Sequence, residues 1–147
     1  MFIEALLPAA QTRLATVSED ASLIEAATLL ARSRINLVVA CHSDATIAGV
    51  ITKTDVVRQI SQCQGAECTK AASLVMTRDV VVCQLTDWLP DVWTTMRERG
   101  LKHVPVVDQA SRPVGVLYAR DALQRLLEET EAEELLLRDY VLGIGYR

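Results

Sequence analysis

Hydrophobic positions along this chain change their period in a fixed order, and they do so twice. From Leu14 to Val17 a short apolar stretch predicts a strand, and Ser22-Leu23-Ile24-Glu25 then opens a helix as a capping box, with Leu23, Ala26, Ala27 and Leu30 on one face. Leu37-Val38-Val39-Ala40 predicts a second strand, His42-Ser43-Asp44 marks a polar turn, Ile47 to Ile51 a third strand, and Asp55 to Ile60 a second helix. The order is strand, helix, strand, strand, helix.

The same order returns with Val80 to Cys83 as strand and Leu89 to Arg99 as helix, where Pro90 is tolerated in the first turn and Gly100 ends the element. Val104-Pro105-Val106-Val107 is the next strand; Pro105 lacks a ladder donor and predicts an edge position or a strand beginning. Asp108 to Pro113 makes the turn, Val114 to Leu117 the third strand, and Ala122 to Glu129 the closing helix. The two copies align at an offset of 66 residues without a gap, from Thr16/Val82 through Ile35/Leu101 to Asp55/Asp121. This is an internal duplication. It predicts an α/β (α+β) fold of two β-α-β-β-α repeats, at 12–61 and 74–129, joined by a polar linker at 62–73 and followed by a C-terminal helix and tail at 130–147.

Candidate chemistry gathers where each third strand meets its helix. Gly49-Val50-Ile51-Thr52-Lys53-Thr54-Asp55 is echoed by Gly115-Val116-Leu117-Tyr118-Ala119-Arg120-Asp121. A helix N-terminus at a sheet edge offers free N–H groups to an anion, and an Asp there accepts hydrogen bonds from hydroxyls. The same residues also fit a purely structural account. Thr52 and Asp55 have capping-box spacing, so their side chains can do no more than satisfy orphan amides.

Composition narrows the partners. The chain has 147 residues, half of them hydrophobic, but only one Phe, three Tyr and two Trp, so the core is aliphatic and no stacking platform for single-stranded nucleic acid is present. With a net charge of −4 and no basic run, nucleic acid is not an expected partner. Met1 to Pro8 is apolar but carries Glu4, lacks a basic leader and is broken by proline, so it is not expected to be a secretory signal. No run reaches the length of a membrane span, so a cytoplasmic location without membrane attachment is expected. Cys41, Cys63, Cys68 and Cys83 have no framework spacing and are expected to be thiols; a metal site from Cys63, Cys68 and Cys41 with His42 matches no zinc pattern, and no metal is expected. The acidic run Glu128 to Glu134 reads as a solvated helix face, while Leu135 to Leu137, Tyr140, Val141, Leu142 and Ile144 are apolar enough to predict packing on the repeats or on a second subunit.

The duplicated unit, with Gly-aliphatic-aliphatic-(Thr/Ser)-x-x-Asp at each second helix, together with Val75-Met76-Thr77 and Lys102-His103-Val104-Pro105-Val106-Val107-Asp108, resembles the tandem cystathionine-beta-synthase (CBS) domain pair, or Bateman module. The resemblance spans roughly Thr12 to Glu129. It implies two repeats related by a pseudo-two-fold, two clefts for adenosine-containing ligands such as AMP, ADP, ATP or S-adenosylmethionine, and a disc-like homodimer. By position, Asp55 and Asp121 become ribose acceptors, Thr52 a hydroxyl donor, and Lys53, Lys102, His103 and Arg120 the cations available to phosphate. For His103 the alternative is a polar residue at a strand edge.

Departures from that pattern make the clefts unequal. Tyr118 stands where Ser or Thr is expected and either stacks on adenine or plugs its cleft, and Asn36-Leu37 stands where the second copy has Lys102-His103. At most one tight nucleotide per chain is expected. The leading function is a regulatory adenosine-ligand sensor acting in trans on an unidentified protein target, with no catalytic cofactor. A structural dimer or interaction module with decayed clefts is the alternative. Catalysis is not expected, since only His42 and His103 titrate near neutrality and no nucleophile adjoins either in the motifs.

Overall fold

The structure, a computed structural model, describes residues 1–62 and 70–145. In the first repeat, β1 (Thr16–Ser18) is followed by α2 (Leu23–Leu30), β2 (Leu37–Cys41), β3 (Ile47–Thr52) and α3 (Lys53–Gln62), after a short α1 (Leu7–Thr12) near the N-terminus. The second repeat runs β4 (Cys83–Gln84), α4 (Leu89–Arg99), β5 (His103–Val107), β6 (Pro113–Tyr118) and α5 (Ala119–Gly145). Each repeat holds a three-stranded sheet whose central strand pairs in parallel with the first strand and antiparallel with the third. The register repeats at the same offset, with Leu37 opposite Thr52 and His103 opposite Tyr118, and a bulge follows Ala40 and Val106 alike.

Pro105 corrects the expectation of an edge strand. It lies in β5, the central strand of its sheet, opposite Val116. The missing N–H is accommodated because β4 is short and pairs only with Val106 and Val107. In the first repeat the equivalent Val39 N–H donates to Ala15 at 2.9 Å, and β1 is one pair longer. Beside Pro105 the neighbouring strand is Cys83–Gln84, one residue shorter than its counterpart Thr16–Ser18, and both begin later than the expected Val80 and Leu14.

Both central strands are apolar without alternation because both faces are covered. Val38 and Ala40 pack with Leu23, Ala26 and Leu30 in the first core, whereas Leu37 and Val39 meet Val50, Val116 and Tyr118 between the repeats. The segments preceding each repeat cross over. Ile3, Leu6 and Ala10 are buried in the second repeat's core, and Ala72 and Met76 in the first. The exchange obeys the offset: Ala10 lies against Gly115 and Met76 against Gly49, where an added Cβ would come within 2.8 Å of either neighbour.

Helix ends follow local chemistry. Ser22 caps α2 by accepting from Glu25 N–H, and Gly100 ends α4 in the left-handed region at φ 64°. Its counterpart Arg34 adopts φ 75° without being glycine. The closing helix is longer than the predicted Ala122 to Glu129, running unbroken through the acidic stretch. Leu135, Leu136, Leu137 and Val141 are exposed on it, so of the two expected coverings, the repeats or a second subunit, the repeats do not provide one; the side chains of Tyr140, Leu142 and Ile144, and all of Tyr146, lie outside the described residues.

Candidate ligand clefts

One cleft opens between the repeats, with a volume of about 450 Å³. Its floor is apolar, built from Leu37 and Val50 of the first repeat and Val80 and Pro105 of the second. Thr52, Thr77, Asp79, Arg99, Lys102 and His103 ring it with polar groups. The wall containing Thr77 and Asp79 is fastened to β3 by two reciprocal backbone bonds of 2.9 Å between Val50 and Thr77. An apolar floor with a few convergent polar groups suits a flat heterocycle carrying a polar or charged tail.

Thr52 and Asp55 form the complete capping box. The Asp55 Oδ2 accepts from Thr52 N–H at 2.9 Å, Thr52 Oγ1 accepts from Asp55 N–H at 3.3 Å, and Asp55 Oδ1 lies 3.6 Å from Arg58. Lys53 turns outward, where its Nζ donates to Asn36 Oδ1 at 3.1 Å. Lys102 is exposed at the rim, and His103 beside it is half-buried with its ring edge-on to Tyr118 at 4.6 Å between centroids. Burial, reinforced by the charges of Lys102 and Arg13, holds the His103 pKa below its ordinary value, so the imidazole is neutral at pH 7.

The pseudo-symmetric place in the other repeat is filled by side chains. Tyr118 is 4% exposed; its hydroxyl accepts from Asn36 N–H at 2.7 Å and donates to the Arg34 carbonyl at 2.9 Å. Burial raises its pKa, which keeps the donating proton in place. The Arg13 guanidinium carbon lies 4.4 Å from the Tyr118 ring centroid, and its Nε and Nη2 donate to the two Asp121 oxygens at 3.2 Å each. Arg120 is exposed at the start of α5.

Of the predicted residues, the fold thus brings Thr52, Lys102 and His103 to one cleft, with Asp55 directly behind Thr52. Tyr118 and Asp121 belong to the filled place, and Lys53 and Arg120 lie at neither centre. Thr77, Asp79, Arg99 and Arg13 were missed. The available signal is the offset, which pairs Asp79 with Arg13 when continued to positions before Thr16. His42, the candidate metal ligand, instead pairs through Nδ1 with Glu19. Cys63 and Cys68 lie outside the described residues, and among the described residues no group of three or more His, Cys, Asp or Glu converges.

Fold and cleft define a tandem α/β repeat pair with a ligand-sized opening between its halves. The CBS domain profile matches residues 7–62 and 71–128, and the chain belongs to the CBS domain family, carrying two tandem copies. A CBS-domain containing protein of Agrobacterium tumefaciens is 28% identical with a TM-score of 0.70, over 84% of this chain and 91% of that one. A CBS domain protein of Pyrobaculum aerophilum, solved in complex with AMP, is 26% identical with a TM-score of 0.71, over 82% of this chain and 89% of its own. Among curated proteins, a homoserine O-acetyltransferase of Methanocorpusculum labreanum is 26% identical over 102 residues, which cover 69% of this chain and 20% of that protein. The chain spans about a fifth of the length of such relatives. Among the described residues no helix is long and apolar enough to cross a membrane.

Proposed function

We propose that this chain is a non-enzymatic regulatory module that binds one adenosine-containing ligand, such as AMP, ADP, ATP or S-adenosylmethionine, in the open cleft and passes the binding state to a protein partner in trans. The observation that carries this reading is the inequality of the two places. One is an apolar-floored opening rimmed by Thr52, Lys102 and His103, and the other is occupied by Tyr118 and Arg13. The AMP complex of the Pyrobaculum aerophilum protein supports the ligand class. On this account Asp55 serves twice, capping α3 and accepting ribose hydroxyls, while Lys102 and neighbouring Arg99 meet phosphate.

A homodimer belongs to the same reading. Val57 and Ile60 on α3 and Leu123 and Leu127 on α5 are exposed, and pairing these faces removes them from water. The competing reading is an interaction module without a ligand, favoured by the fully formed Thr52–Asp55 capping box, which already employs both side chains.

Calorimetric titration of ligand-stripped protein with AMP, ATP and S-adenosylmethionine separates them. The proposal expects one site per chain, weakened at least tenfold by Asp55→Ala and little by Asp121→Ala. Two equivalent sites, or no heat from folded dimeric protein, rejects it.

A further inference from the structure

The two outward helix pairs differ. Between α2 and α3 runs an open apolar groove of about 360 Å³, lined by Ala27, Leu30 and Ala31 on one side and by Lys53, Val56 and Val57 on the other. At the offset of 66, Ala27 corresponds to Trp93, Ala31 to Arg97 and Val57 to Leu123. Two small residues thus leave a hollow where the second repeat has large ones. Trp93 packs on the second core and fills that space in its own repeat, while Leu123 and Leu127 stand out along α5, 42% and 54% exposed. One face is a groove and the other a ridge. Charge divides the same way. Lys53 and Arg58 are exposed near Val57, and Arg32 follows α2, whereas Leu127 is followed on α5 by exposed Glu128, Glu131, Glu133 and Glu134.

We propose that two copies of this chain associate with the first repeat of each facing the second repeat of the other, the Leu123 and Leu127 ridge of one copy seated in the α2–α3 groove of its partner. The inference rests on the homodimer of the proposed function and adds which faces meet. A two-fold dimer can join these faces in two ways. If each repeat met its own kind, groove would face groove across a doubled hollow and ridge would abut ridge, although protein interfaces pack as densely as interiors. Lys53 and Arg58 would then oppose their own counterparts, and two runs of glutamates would lie side by side. The crossed arrangement sets a ridge into a groove at both contacts, as helices prefer to pack. It also brings the glutamates after Leu127 toward the face that carries Arg32, Lys53 and Arg58, so shape and charge select the same pairing.

Cross-linking reads the arrangement in the full chain. In a Cys41→Ser/Cys63→Ser/Cys68→Ser background, which keeps the buried Cys83, single Val57→Cys and Leu123→Cys chains are treated with a short bismaleimide, separately and after mixing, one of them carrying a size tag. Circular dichroism melts check folding, and sedimentation gives the mass. The mixture should yield a cross-linked dimer of tagged with untagged chain that neither variant yields alone. Self-linking by either variant alone, or a folded dimeric mixture without the cross-link, overturns the inference. Ala27→Trp, which copies Trp93 into the groove, should weaken the dimer about tenfold or more in sedimentation. An unchanged or tighter dimer overturns the inference as well, since a larger side chain helps only where groove faces groove. A wild type that sediments as a monomer rejects this pairing together with the proposed homodimer, and AMP titration of the same protein separates that failure from a failure of ligand binding.

Discussion

Gly49→Ala tests the crossed packing at its tightest point. A Cβ on Gly49 would lie 2.6 Å from the Thr77 carbonyl oxygen and 2.8 Å from Met76 Sδ, well inside ordinary contact near 3.4 Å. The nearest obstacle is backbone, and that carbonyl accepts the Val50 N–H at 2.9 Å while Thr77 N–H donates back to Val50. Relief thus requires the Thr77 segment to move away from β3, stretching or breaking both bonds at about 1 kcal/mol each. Residual overpacking adds about 1 kcal/mol, and the lower entropy of an unfolded alanine subtracts about 0.5 kcal/mol. The expected loss is about 2–3 kcal/mol, read from urea midpoints at unchanged m-value. Because Thr77 and Asp79 form a wall of the open cleft, AMP affinity should fall with it. Gly115→Ala meets the Ala10 side chain at 2.8 Å and Ala10 backbone at 3.0 Å, and should cost about 1–2 kcal/mol without touching the open cleft. A Gly49→Ala loss below about 0.5 kcal/mol, with AMP binding intact, would refute the close-approach argument.

Three further outcomes follow from single residues. Tyr118→Phe strips the hydroxyl from two part-buried peptide partners and should destabilise by about 0.5–1.5 kcal/mol in urea unfolding, although the ring and the Arg13 stack remain and Arg13 still donates to the Arg34 carbonyl; a neutral effect would mean that the Asn36 N–H is satisfied otherwise. Arg34→Gly relaxes a left-handed residue at φ 75° and should stabilise by about 0.5–1 kcal/mol net of the unfolded-state entropy of glycine, a gain absent if the conformation is unstrained. His103 has a depressed pKa, so below the ordinary imidazole value the unfolded chain binds a proton that the folded one refuses. Its contribution is complete above pH 6.5 and is lost as pH falls through the folded pKa, so His103→Asn should flatten the acid side of the stability curve. A phosphate in the open cleft reverses the preference, and AMP should bind with proton uptake near pH 6; equal heats in buffers of different ionisation enthalpy would contradict this.

Much of the architecture was legible in the chain itself. The 66-residue offset, the continuous apolar runs at Leu37 to Ala40 and Val104 to Val107, the Ser22 cap and the Gly100 stop are local or periodic signals, and each produced its element. The same periodicity announced two unequal clefts through Tyr118 and Asn36. Element lengths were less legible, because they depend on neighbours. Pro105 lies in an unbroken strand beside a β4 one residue shorter than β1, and α5 continued through a run of glutamates that solvent accommodates.

What the sequence determined on its own was therefore the repeat, the order of its elements and the candidate acids at each strand-to-helix junction, since periodicity and capping act within a few residues. Only the tertiary structure decided which groups share a cleft. Thr52 meets Lys102 and His103 across the two repeats, Arg13 reaches Asp121 across 108 positions, and Ala10 and Met76 pack into each other's halves. Those pairings arise because each repeat leaves one sheet face apolar, and covering both faces at once fixes the halves against each other in a way no local signal encodes.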